Sequence, residues 1–144
     1  MPVGFAVLTP GTPPVTCDAP TLDLASENYP EGDWVPRVAV SIGTAAPDFD
    51  GPVLLVLTGG FAAHAPSLGF AQRAARRPVA GYVLVDPILP TAGSHDWPDA
   101  PVTVVLTPAA DDDARSAGLA ARLRGWEIID GELEGALAEV VARP

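Results

Sequence analysis

Lysine is absent from this chain of 144 residues, so all eight basic residues are arginine. That absence excludes a Walker-type phosphate-binding loop, a pyridoxal Schiff base and a receiver-type phosphorylation site with its usual lysine. Cysteine is almost absent too. The single Cys17 cannot form an internal disulfide; it fits a reducing cytoplasm and reads as a buried structural thiol. Positive charge is scarce: the net charge is −10, which repels a phosphate backbone and leaves no basic stripe for nucleic acid. Histidine occurs twice, at His64 and His95, and with scattered carboxylates makes no zinc-ligand spacing. Neither a metal nor a cofactor is expected. No apolar run approaches the ~18–20 residues that span a bilayer, so no membrane partner is expected. The opening "MPVGFAVLTP" lacks the basic start of a secretory signal.

What is present reads as one packed domain over 1–144, with 48% hydrophobic residues and a mean hydropathy of +0.25. "VGFAVL" (3–8) predicts a short strand ended by the turn "TPGTPP", and "VTCDAP" (15–20) a second, shorter one. "TLDLASENYPEGD" reads as an irregular surface loop. From Asp33, a plausible cap, Val35, Val38, Ile42 and Ala45 recur at helical spacing, with Pro36 in the first turn. "GPVLLVLTG" (51–59), "VAGYVLVDP" (79–87) and "PVTVVLTP" (101–108) are continuous apolar runs of the kind buried on both faces of a sheet. Between them lie a helical segment over 61–77, weakened early by Pro66 and Gly69, and a long loop, "ILPTAGSHDWPDA". "DDDARSAGLAARLRG" predicts a capped helix ending at Gly125, "WEIID" (126–130) a last strand, and "ELEGALAEVVA" (132–142) a closing helix. The alternation predicts an α/β three-layer sandwich with a mostly parallel sheet.

From residue 51 onward the chain resembles the second half of the α/β-hydrolase family. "VLLVL" and its glycine turn resemble the nucleophile strand and elbow, and "VAGYVLVDP" the strand that follows. "APVTVVLTPAAD" resembles the strand that delivers the catalytic acid, and "GWEIID" the one that precedes the catalytic histidine. "AVLTPG" resembles the strand and loop that supply an oxyanion-hole amide. The resemblance implies a minimal hydrolase-like core without cap. It also marks what is missing. The G-x-S-x-G register puts Gly60 at the serine position, 19 residues before Val79. Ser67, only 12 residues before Val79, belongs inside the helix. Asp111 occupies the acid's place, although "DDD" also suits a helix N-terminus. No histidine follows "WEIID". Without nucleophile and base, the resemblance implies no serine hydrolase.

The crevice expected at the strands' carboxyl ends gathers Thr9, Thr58, Gly59, Gly60, Phe61, Trp97 and Thr107 as binding residues. His95, Asp86 and Asp111 are the candidate acid–base groups, with the glycine-turn amides as oxyanion donors. Each has a structural alternative: Asp86 can end a strand, His95 can be a solvated loop residue, His64 a helix-surface residue, and Trp97 a plug. The leading expectation is a repurposed, non-hydrolytic biosynthetic enzyme of isomerase, cyclase, dehydratase or epimerase type, acting on a small apolar carbonyl compound. Two alternatives stand beside it: a non-catalytic binding or scaffold subunit, and a hydrolase or thioesterase with a displaced nucleophile. A truncated parallel sheet also predicts a homodimer, through the first strand or the closing helix.

Overall fold

Six strands form one sheet, all parallel, in the order β2-β1-β3-β4-β5-β6. They are β1 (Phe5–Leu8), β2 (Thr21–Asp23), β3 (Val53–Thr58), β4 (Val79–Val85), β5 (Val102–Leu106) and β6 (Glu127–Asp130). Among the described residues, four α-helices accompany them: α1 (Trp34–Ala45), α2 (Ala65–Ala74), α3 (Asp112–Leu123) and α4 (Leu133–Val141). The computed structural model describes residues 1–91, Gly93 and 96–144. The expected α/β sandwich is present, and its sheet is parallel throughout.

The period-2 alternation of strand side chains divides the core into two layers. Phe5, Val7, Val53, Leu55, Leu57, Tyr82, Leu84, Val102, Val104 and Leu106 face one side. Ala6, Leu8, Leu54, Val56, Val83, Val85 and Val105 face the other. Right-handed crossovers place every connection that steps toward β6 on one face and the step back from β1 to β2 on the other. The first face accordingly packs against α1, α2, the 86–101 crossover and α3, and the second against α4 and the 10–20 segment.

The second strand departs from expectation. Residues 15–20 cross the second face as irregular chain, with Val15 and Cys17 packed beneath α4. β2 forms instead at Thr21–Asp23, within the segment expected to be a loop, because pairing with Ala6–Leu8 supplies the order its sequence lacks. The first strand is consequently interior, between β2 and β3, and cannot serve as the exposed edge on which a homodimer was expected. The helix expected over 61–77 begins as a 3₁₀ turn at Gly59–His64 and becomes α-helical only at Ala65, with Pro66 in its first turn. Asp33 stands at the start of α1 without a capping hydrogen bond, since a 3₁₀ turn over Glu31–Asp33 already leads into the helix.

Among the described residues, the β4–β5 crossover contains no α-helix, and a knot of side chains does a helix's work. Trp97, 3% exposed, packs edge-on against Tyr82 and Trp126, with ring centroids 5.1 and 5.3 Å away. The Tyr82 hydroxyl donates to Asp99 Oδ1 at 2.7 Å, and Arg73 Nη1 of α2 lies 3.3 Å from the same oxygen. Arg124 stacks over Trp126 and donates to the Pro90 carbonyl at 3.0 Å. Burial first, then the Asp99 carboxylate, raises the Tyr82 pKa well above its ordinary value.

Two outcomes are expected from this knot. A Cβ at Gly69 would fall inside the Tyr82 hydroxyl, so Gly69→Ala should lower unfolding stability by about 1–3 kcal/mol. Tyr82→Phe in the same chain should recover part of that loss, a coupling that urea titration of the four variants in a double-mutant cycle measures. In the unfolded chain Tyr82 ionises near pH ~10, while in the fold it stays protonated. Its contribution is therefore complete below that pH and is lost as pH rises above it, visible as a falling unfolding midpoint between neutral and strongly alkaline buffer.

Candidate functional site

The carboxyl ends of β1, β3, β4 and β5 lie side by side, and the polar residues gathered there are committed to one another. On the β1–β3 side, Thr9 Oγ1 donates to the Val56 carbonyl at 2.6 Å. Thr12 Oγ1 donates to the Thr9 carbonyl at 2.7 Å, and Thr58 Oγ1 to Thr12 Oγ1 at 3.4 Å. Thr9 and Thr12 are both buried. These hydroxyls fasten loop to strand.

The amides of the same loop are equally engaged. Thr9 N–H donates to the Val56 carbonyl, Gly11 N–H to Ala25 and Thr12 N–H to Thr9. Pro10, Pro13 and Pro14 have no N–H to offer. The loop expected to lend an oxyanion-hole donor therefore has none free between Thr9 and Pro14.

At the β3 turn, Gly59 takes the left-handed backbone conformation (φ +61°) that a sharp strand-to-helix turn requires. It stands one position before Gly60, where the G-x-S-x-G register put the serine. Ile88 N–H donates to the Gly59 carbonyl at 3.0 Å, and the Ile88 side chain lies over Gly60. The Phe61 ring stacks on Trp34, centroids 5.0 Å apart and nearly parallel, with Gly11 against its rim. Phe61 thus extends the core up to the turn. His64 joins the same stack, 5.5 Å from Trp34, with Nε2 3.8 Å from a Glu31 carboxylate oxygen. Ser67 sits within α2, as expected.

Asp86 follows β4 with a positive φ of 43°, a conformation that aspartate tolerates better than most side chains. Its Oδ1 accepts the Thr107 N–H at 2.9 Å and its Oδ2 the Thr107 hydroxyl at 2.5 Å. Thr107 Oγ1 in turn accepts the Ala109 N–H. The pair clasps the ends of β4 and β5 together. Asp111 Oδ1 accepts the Ala114 N–H at 2.8 Å and caps α3.

Of the residues expected to converge, Thr58, Gly59, Gly60 and Phe61 share the β3 turn with Thr9 close by, and Asp86 pairs with Thr107 alongside. Trp97 does not join them. The crossover carries it back along the sheet to Tyr82 and Trp126, where it fills the core instead of lining a crevice. His95 lies outside the described residues. Among the described residues, no group of three or more His, Cys, Asp or Glu could hold a metal ion, and no helix is long and apolar enough to cross a membrane. A separate cavity of about 290 Å³ opens at the opposite, amino-terminal edge, with Val3, Leu54, Gly81 and Val140 among its lining residues. It has no counterpart in the sequence reading, because it joins both chain ends to three strands.

No protein-family model, no curated protein and no solved structure matches this chain.

If Asp86 is a clasp, Asp86→Ala should cost about 1–3 kcal/mol by orphaning the Thr107 donors and placing alanine at positive φ. Asp86→Asn, which keeps an acceptor and tolerates that backbone, should cost less. Chemical denaturation of the two variants measures the order; equal stability of both with the parent would contradict the clasp.

Proposed function

We propose that this chain is a non-hydrolytic, α/β-hydrolase-like domain that acts as a binding or scaffold subunit. The observation that carries the reading is the Phe61 ring stacked on Trp34 beside the glycine turn. The stack makes the residue after the turn part of the packed core, where an open ligand crevice would leave it facing a cavity. The chemistry around it agrees. An acid–base enzyme of the isomerase or cyclase type needs a carboxylate free to exchange a proton with substrate, and both Asp86 oxygens are held by Thr107. Stabilising an enolate or oxyanion needs preorganised amides aimed at the ligand, and the 9–14 loop spends its amides on the Val56, Ala25 and Thr9 carbonyls.

The resemblance to the hydrolase family belongs to the same proposal. Its support is the order of elements: a parallel strand, a glycine turn with left-handed backbone and a following helix, then further strands ending in Asp86 and Asp111. Fold likeness alone carries no activity.

Assayed with p-nitrophenyl acyl esters, the protein should hydrolyse no faster than buffer, and a serine-directed phosphonate should leave its mass unchanged. Ester hydrolysis that disappears in Ser67→Ala, or a phosphonate adduct on Ser67, would overturn the proposal in favour of a displaced nucleophile.

A further inference from the structure

We infer that the β6 edge and the adjoining side of α3 form a self-complementary interface that takes a second copy of this chain. The sheet has two edges. β2 is three residues long and follows Pro20 directly, a blunt edge. β6 is longer and, among the described residues, pairs only with β5. Gly131 N–H donates inward to the Leu106 carbonyl. By alternation, Glu127 and Ile129 also turn their backbone groups toward β5, while Ile128 and Asp130 present theirs outward.

An antiparallel pairing of two β6 strands about Ile129 lets Ile128 of each copy exchange backbone bonds with Asp130 of the other. In that register Glu127 faces Gly131 of the second copy, so no like charges stand directly opposite. Each acid also has its own counter-charge: Arg143 Nη2 lies 2.6 Å from Glu127, and Arg115 Nη1 3.9 Å from Asp130.

The same two-fold axis tests α3 independently. The helix runs opposite to β6, and the groove between them is lined by Asp112, Arg115, Leu119, Arg122, Ile128 and Asp130. With Arg115 beside Asp130, the helix midpoint near Ala117 lies level with Ile129. An axis through Ile129 therefore sets Asp112 of one copy against Arg122 of the other, twice. Acid at the start of α3 and base at its end become complementary only when the helix meets its own inverse. Leu119 and Leu123, 64% and 90% exposed, stand on this helix as the apolar component of the contact. A continuous sheet across both copies follows, with α4 left outside the contact, unlike the surface expected from the sequence.

Light scattering of the full chain at micromolar concentration should give twice the 14.8 kDa chain mass. Asp112→Arg and Arg122→Asp, made separately, each place like charges at both symmetric contacts and should raise the dimer dissociation constant about 10-fold or more. Mixing the two variants sets opposite charges at both contacts and should restore a heterodimer. If either charge reversal prevents folding, Leu119→Arg at its exposed site should weaken the dimer without altering the circular dichroism. A monomeric parent chain, a dimer indifferent to these substitutions, or a mixture that fails to re-associate would overturn the inference.

Discussion

A parallel sheet needs cover on both faces, and between β4 and β5 the described residues include no helix to supply it. The contact of Trp97 with Tyr82 and Trp126 fills that place, and much of the first face depends on it. Burying an indole removes a large apolar area from water, on the order of a few kcal/mol. Asp99 then fixes where the loop can sit, because the Tyr82 hydroxyl and Arg73 converge on one carboxylate oxygen. The arrangement ties three separate elements: a strand, a crossover and a helix. It also explains Gly69, whose missing side chain lets α2 lie directly on the tyrosine.

The carboxyl edge follows a comparable economy. Short polar side chains there close loops onto strands instead of facing a ligand. Thr107 and Asp86 satisfy each other across β4 and β5, and Thr9, Thr12 and Thr58 form a descending series of donors that ends on the Val56 carbonyl. Such groups cost most when left unpaired in a buried setting, so this edge is stabilised by turning them inward. The glycine turn at Gly59 lies within this edge as left-handed backbone, and the Phe61 and Ile88 side chains pack around it.

The parts of this architecture that were legible in the sequence are those whose signal is local. "VLLVL", "YVLV" and "VTVVL" announce buried strands because every residue faces a covered layer. Asp111 before Ala114 reads as a cap because the bond spans three residues. The unread parts depend on distant partners. "TLD" carries no strand pattern, and becomes β2 only through β1. Asp86 looks like a free carboxylate until Thr107, 21 residues away, is placed beside it. Trp97 looks like a loop aromatic until Tyr82 and Trp126 are placed beside it. The placement of Gly59 at the positive-φ position, one residue from the expected register, likewise depends on how β3 ends against β4.

The uneven clothing of the sheet has an optical consequence. All three tryptophans, Trp34, Trp97 and Trp126, belong to the layer that holds α1, α2 and the β4–β5 crossover. The opposite layer, closed by α4, is built mainly from aliphatic side chains and, among the described residues, packs no aromatic ring. Intrinsic fluorescence therefore observes one side of this protein only. Loosening of α4 would pass in the dark, while a shift of the crossover would change the emission of two indoles at once.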